Sequence, residues 1–278
     1  MNAGEAELVT RAPMSVLRGH VRAIHGWSER GAEPVRRKEF SYGDVVLIVN
    51  LDAPVRILDP REPSGFVAPR AFVGGVDDRH VVTEHDGIAA GLQISLSPLG
   101  ARALLGMPLR EIAGRVVELE DLLGAAGREL VARLHDEATW AGRFDVLEHA
   151  LAARIAAAPP PPPDAVRAWL RLRETHGALR IDALAAELGC SRRHLAARFR
   201  DQIGLSPKSV ARIVRFRHAV RLMLRDAGRW ADVAYACGYA DQPHLNRDFR
   251  QFVGTTPTAY LESAATVTYL QDGLTATP

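Results

Sequence analysis

Little in this chain would export, cross-link or anchor it. Its 278 residues hold two cysteines, Cys190 and Cys237, too few for a disulfide framework. The longest aliphatic run, VVLIV at 45–49, falls far short of the roughly 20 apolar residues that a membrane-spanning helix needs. The opening stretch MNAGEAELVTRAP carries two glutamates and no apolar core, so no secretory signal is expected and a cytoplasmic location is the default. Signatures of catalysis are equally sparse. There is no serine-nucleophile motif and no glycine-rich phosphate loop. His20, His25, His80 and His85 are present, but no close His-x-His pair falls on a strand. Cys190 and His194 stand at i, i+4 without the second pair that a four-ligand zinc site needs. Neither a metal nor a cofactor is expected, and no residue is assigned a catalytic role.

Acid is scarce in one half. The formal net charge is only +2, yet residues 164–263 hold 17 Arg and Lys against 10 Asp and Glu, while residues 1–163 hold 18 against 22. Such a split suggests that one half meets a polyanion. Five consecutive prolines at 159–163 part the two halves. They cannot continue a helix or join a central strand. They favour polyproline II, about 3.1 Å per residue, and so a spacer of about 15 Å. The chain therefore divides into 1–158, a linker at 159–163, a domain at 164–263 and a tail at 264–278.

Upstream of the prolines, DVVLIVNL (44–51), VRILD (55–59), RAFVGGV (70–76), HVVTEH (80–85) and IAAGLQISL (88–96) read as strands. They are short, rich in β-branched residues and punctuated by Asn, Asp, Pro and Gly. Asp86-Gly87 reads as a two-residue hairpin turn. Segments 97–106, 119–138 and 143–158 follow with helical periodicity. The last places Phe144, Leu147, Leu151 and Ile155 on one stripe at i, i+3, i+7 and i+11. A small barrel or sandwich with trailing helices is expected, with a pocket lined by inward residues of 44–51 and 88–96. Part of the stripe must pack on the barrel, because a lone amphipathic helix of this length is marginal in water.

Downstream, the sequence repeats itself. IDALAAELGCSRRHLAARFRDQIGLSP (181–207) aligns with WADVAYACGYADQPHLNRDFRQFVGTTP (230–257). Leu184 matches Val233, Gly189 matches Gly238, Leu195 matches Leu245, Phe199 matches Phe249 and Pro207 matches Pro257. In each copy a short helix ends at a glycine suited to positive φ. A second helix then starts on a good N-cap, Ser191 or Asp241, and its Leu and Phe pin it to the first. That is a helix-turn-helix, whose second helix presents its outer face to a major groove. In the second copy that face carries Gln242, His244, Asn246, Arg247 and Arg250; in the first it carries Arg192, Arg193, His194, Ala196, Ala197 and Arg200. Gln and Asn pair with adenine and Arg with guanine, so double-stranded DNA is the expected partner. The connector at 206–228 can form a helical rod of roughly 30 Å, close to one duplex turn of about 34 Å. Its Arg217, Arg221 and Arg225 form a stripe suited to phosphates or to solvent.

These residues, together with the ending FRQFVGTTPTAYL, resemble the AraC/XylS family of bacterial transcription regulators over about 100 residues, 164–263. The resemblance implies an α+β chain: a cupin-like sensing and dimerisation barrel with trailing helices, then a seven-helix domain with two helix-turn-helix motifs. By position, the family's base contacts map to Arg193, Ala196 and Ala197, and to Gln242, Pro243, His244, Asn246 and Arg247. Ala196 and Ala197 replace long polar residues often found there and leave only methyl contacts, while Pro243 suits the first turn of a helix. The resemblance also implies a small-molecule effector, RNA polymerase as a further partner, and a homodimer paired through a helix in the place of 143–158. The competing readings are a metal-binding cupin-like enzyme, a DNA-repair protein using a reactive cysteine, and a nucleoid-type binder without sequence choice. Both cysteines lie in helix-turn-helix turns, where a structural role is expected.

Overall fold

The computed structural model describes residues 5–59, 62–225 and 230–264. Among these, ten strands come first: β1 (Glu5–Arg11), β2 (Val21–Arg30), β3 (Val35–Glu39), β4 (Val45–Asn50), β5 (Arg56–Asp59), β6 (Glu62–Val67), β7 (Ala71–Gly74), β8 (Val81–His85), β9 (Ile88–Leu96) and, after helix α1 (Pro98–Leu105), β10 (Val116–Glu118). A six-stranded sheet has the order β1-β2-β9-β4-β7-β10, and a four-stranded sheet the order β3-β8-β5-β6. The neighbouring strands run antiparallel. Strand β4 shows how the two faces of the large sheet differ. Val45, Leu47 and Val49 are fully buried beneath helices, whereas Val46, Ile48 and Asn50 line a cavity between the sheets. That is the two-residue period of a strand with a different environment on each side.

The Asp86-Gly87 hairpin does not form. Strand β8 pairs with β3 and β5 in the small sheet, and β9 pairs with β2 and β4 in the large one. Between them the chain passes from one sheet to the other. Gly87 makes this corner at φ +88°, where a Cβ would meet the Gly31 carbonyl oxygen at 2.4 Å.

Helices α2 (Leu119–Leu123), α3 (Ala125–Asp136) and α4 (Trp140–Ala157) complete the N-terminal domain. The α4 stripe of Phe144, Leu147, Leu151 and Ile155 is buried in the same cluster as Val45, Leu47 and Val49. It is used up within the domain, and none of it is left facing outward to pair two chains.

Seven helices follow: α5 (Pro163–Glu174), α6 (Ile181–Glu187), α7 (Arg192–Gln202), α8 (Pro207–Arg225), α9 (Trp230–Ala236), α10 (Gln242–Val253) and α11 (Pro257–Ala264). Helix α5 takes Pro163 into its first turn, where a missing N–H costs no helical hydrogen bond. The tail from residue 265 and Gly228, the last residue of the expected connector, lie outside the described residues.

The prolines do not hold the two domains apart. Both helix-turn-helix motifs pack against the N-terminal domain. Arg110, in a 3-10 turn at Leu109–Glu111, donates to Asp201 at 2.5 Å beside the first motif. At the second motif the Phe40 ring stacks on Phe252 at 5.2 Å and the Tyr42 ring on Phe216 at 6.1 Å. The Lys38 ammonium donates to the Gly254 carbonyl at 2.7 Å, and the Gln251 amide to the Asp78 carbonyl at 3.3 Å. The core of the second motif is therefore continuous with two aromatic side chains of the N-terminal domain. A five-residue spacer limits how far domains can part, but does not oppose their contact.

Candidate nucleic-acid interface

Each motif is built by the same local physics. Gly189 at φ +66° and Gly238 at φ +72° make the turns, and a Cβ on either would meet nothing within 4 Å. The left-handed backbone, not crowding, is what asks for glycine there. The Ser191 hydroxyl then accepts from the His194 N–H at 3.2 Å, and the Asp241 carboxylate from the His244 N–H at 2.7 Å. These caps satisfy N–H groups that have no intrahelical partner and fix where each recognition helix begins. Leu184, Ala185, Leu195 and Phe199 are buried in the first motif, and Val233, Ala234, Leu245 and Phe249 in the second. With those apolar faces enclosed, the remaining faces turn outward.

The outward faces differ. On α7, Arg192, Arg193, His194, Ala197 and Arg200 are exposed, and Ala196 is half-buried. Arg192 donates to Asp182 at 3.1 Å, and His194 lies 3.7 Å from Asp164. Arg193 and Arg200 have no ion pair among the described residues. On α10, Pro243, Arg247 and Arg250 are exposed, while Gln242, His244 and Asn246 are half-buried. The His244 ring meets Tyr239 edge-on at 5.1 Å, and the Asn246 side-chain carbonyl is enclosed without a hydrogen-bond donor among the described residues. Arg247 is thus the most available long side chain in the N-terminal part of the second helix.

The connector α8 fixes the second motif firmly. Arg212 donates to Asp248 at 2.7 Å and to Gln251 at 2.8 Å, both on α10. The three arginines of the connector stripe, suited by spacing to phosphates or to solvent, divide. Arg221 and Arg225 are exposed, but Arg217 is turned inward with 16% of its side chain exposed, 3.5 Å from Asp44 of the N-terminal domain. The sequence could not show this, because Asp44 lies 173 residues away.

A family model described as a helix-turn-helix domain matches residues 184–263, which contain both motifs. The C-terminal domain is an AraC-type helix-turn-helix domain. The transcriptional activator RhaR of Pectobacterium atrosepticum is 33% identical over 81 residues, 29% of this chain and 28% of that relative. The transcriptional regulator GlxA of Rhizobium meliloti is 29% identical over 208 residues, 69% of this chain and 63% of that relative. The matched stretch thus spans under a third of RhaR and under two thirds of GlxA. Among solved structures, ToxT of Vibrio cholerae with an unsaturated fatty acid bound aligns over 93% of this chain and 99% of that chain. The TM-score is 0.51 at 12% identity, a likeness of fold. The AraC-type domain and a β-rich N-terminal domain therefore account for the whole described architecture.

Two further features bear on function. The cavity between the sheets has a volume of about 350 Å³. Apolar side chains such as Ile48, Ile57 and Phe72 line it beside Arg37, Glu39 and Gln93. Two of the lining residues hold Glu29 behind the wall: it accepts from Arg37 at 2.6 Å and stands 3.1 Å from His85. Burial alone would raise the Glu29 carboxyl, but hydrogen bonds from His85 and Arg37 outweigh it and bring it down to about 2. Desolvation pushes Glu39 the other way, up to about 7, against the opposing pull of Arg37 and a Thr83 hydrogen bond. The cysteines are free, and burial pushes the Cys237 thiol up to about 11. Among the described residues no group of three or more His, Cys, Asp or Glu could hold a metal ion, and no helix is long and apolar enough to cross a membrane.

Proposed function

We propose that the chain is a sequence-specific regulator of transcription that places α7 and α10 in successive major grooves of double-stranded DNA. One observation carries this: two N-capped helices, each pinned by a buried Leu/Phe pair, both pack on the one α-helical rod that joins their motifs. The 19 residues of α8 give a rod of about 28 Å, comparable to one duplex turn of about 34 Å. Arg193, Gln242, His244, Asn246 and Arg247 read base edges in this proposal. Arg192, His194, Arg200, Arg221, Arg225 and Arg250 position the protein on the backbone, with Arg217 joining them when Asp44 releases it. The names of the relatives, an activator and a regulator, support the reading.

The cavity between the sheets serves as the effector site. It suits a mostly apolar small molecule with one polar group, the usual composition of such pockets. The protein works in the cytoplasm and is not an enzyme: a buried thiol held as high as Cys237 makes a poor nucleophile. Contact with RNA polymerase and pairing of two copies complete the proposal. Because the α4 stripe is enclosed, the pairing surface lies elsewhere on the N-terminal domain. Strand β1, at the edge of the large sheet with Leu8 39% exposed, offers one.

Selection of bound sequences from a random duplex pool tests the central claim. The expected result is a consensus of two blocks about one helical turn apart. Binding without a consensus, governed by salt alone, would leave a backbone binder and remove the regulator reading.

A further inference from the structure

A second cavity, of about 360 Å³, lies between the domains, apart from the recognition helices and from the effector site, and shares only Arg217 and Arg221 with the proposed backbone contacts. Its walls come mainly from three places far apart in sequence: β2 and the β3–β4 turn, helix α5, and helix α8. Each brings arginine. Arg22 comes from β2, Arg173 from α5, and Arg217 and Arg221 from α8. Arg22 and Arg217 are partly covered, while Arg173 and Arg221 are exposed at the opening.

Acid to balance them is short. Asp44 accepts from Arg22 at 2.5 Å and from Arg217 at 3.5 Å, so one buried carboxylate serves two guanidiniums. The Arg217 Nε is enclosed and has no hydrogen-bond partner among the described residues. Glu174 also lines the cavity, but Arg171 donates to it at 3.1 Å. Arg173 and Arg221 have no ion pair among the described residues. Although exposed at the opening, both are held below the usual arginine range, first by partial desolvation at the cavity mouth and then by the neighbouring arginines. Four guanidiniums against one fully available carboxylate leave the cavity with an unbalanced positive charge. Trp169, Val210, Ile213 and Val214 supply an apolar wall beside it.

We propose that this interdomain cavity binds a small organic dianion, a phosphomonoester or a dicarboxylate with an apolar body. Guanidinium forks match the oxygen pairs of either group, and the charge and the apolar wall ask for both parts of such a molecule. A ligand held by β2, α5 and α8 together binds only when the two domains are docked. Its occupancy therefore favours the docked state by mass action.

The test uses the full chain in a low-salt buffer free of phosphate and carboxylate. Inorganic phosphate, phenyl phosphate and isophthalate are each titrated by calorimetry and by thermal melting, with chloride as control. Saturable binding of one probe per chain with a raised Tm is expected. Arg173→Gln and Arg221→Gln should each weaken it by about tenfold or more, the loss expected for a hydrogen bond to a charged group. Neither should lower the Tm of the unliganded protein, because each relieves repulsion. Arg225→Gln, one turn beyond the cavity, should bind as the parent does. Preference for phenyl phosphate would assign a phosphoryl group and preference for isophthalate a dicarboxylate; either supports the site. Failure of all three probes to saturate, or binding indifferent to Arg173→Gln and Arg221→Gln, would overturn it. Since binding is read without DNA, this outcome is independent of whether the chain selects a duplex consensus.

Discussion

The Tyr42 hydroxyl lies 2.7 Å from the Tyr260 hydroxyl, across 218 residues of chain. The first belongs to the turn between β3 and β4, the second to α11, which closes the second helix-turn-helix. Tyr42 holds a left-handed backbone at φ 49°, a conformation costing on the order of 1–3 kcal/mol in a residue with a side chain. The packing of its ring and that of Phe40 among Phe216, Phe249 and Phe252 offsets that cost. Tyr42→Phe should lose about 0.5–1.5 kcal/mol, the net worth of one hydrogen bond. Phe40→Ala should lose about 3–5 kcal/mol through the cavity it leaves. Denaturant unfolding measures both. In the Phe40→Ala protein, hydrogen exchange at α10 and α11 should quicken before global unfolding; unchanged exchange there would mean that the aromatic contact does not couple the domains.

Arg247 and Arg225 should differ in kind. Arg247→Ala removes a base contact worth about 1–3 kcal/mol and relaxes preference at one position of the selected consensus. Arg225→Ala weakens all duplexes alike and lowers the slope of log affinity against log salt by about one. A consensus unmoved by Arg247→Ala would show that α10 does not read bases.

The C-terminal half was legible because its signals are local. Gly189, Gly238, the caps Ser191 and Asp241, and the Leu/Phe pairs four residues apart all act within one or two turns of chain, and the structure places them as the repeat implies. Strands β4, β5, β7, β8 and β9 also announced themselves by composition. Strand β2 did not. From Ala23 to Trp27 every residue is buried, so no alternation marks it, and His25 and Gly26 interrupt its apolar run. What no local pattern could show is the docking. Asp44 beside Arg217, and Phe40 against Phe252, are meetings of residues with no sequence relationship. Spacing alone therefore groups Arg217 with Arg221 and Arg225, though only the latter two are exposed.

The cavity between the sheets should impart a pH dependence. The Glu39 carboxyl rises from 4.5 to about 7 on folding. A raised carboxyl contributes stability that is present below pH 4.5 and is lost as pH rises through about 7. Across that window the parent should lose up to roughly 3 kcal/mol relative to Glu39→Gln, by the linkage between pKa and stability. Glu29, held at about 2, works in the opposite sense, and its contribution disappears only as pH falls from 4.5 towards 2. Denaturant melts at several pH values check the first effect. Parallel curves for parent and Glu39→Gln would show that Glu39 is not desolvated in the cavity wall.

Asp44 decides whether Arg217 belongs to the N-terminal domain or to DNA. Its carboxylate is buried and holds both Arg22 and Arg217. Asp44→Asn leaves two guanidiniums without their counter-charge, and breaking a buried pair in this way costs about 3–5 kcal/mol. The Asp44→Asn/Arg217→Gln double variant should regain part of that loss, and the cycle gives the coupling directly. The same substitution frees Arg217 to turn outward along α8. Its expected signature is a salt slope on duplex DNA steeper by about one than the parent's, a gain that the double variant abolishes. A steeper slope in Asp44→Asn, lost in the double variant, would mean that docking and DNA compete for one arginine. Equal slopes in all three proteins would confine Arg217 to the joint between the domains.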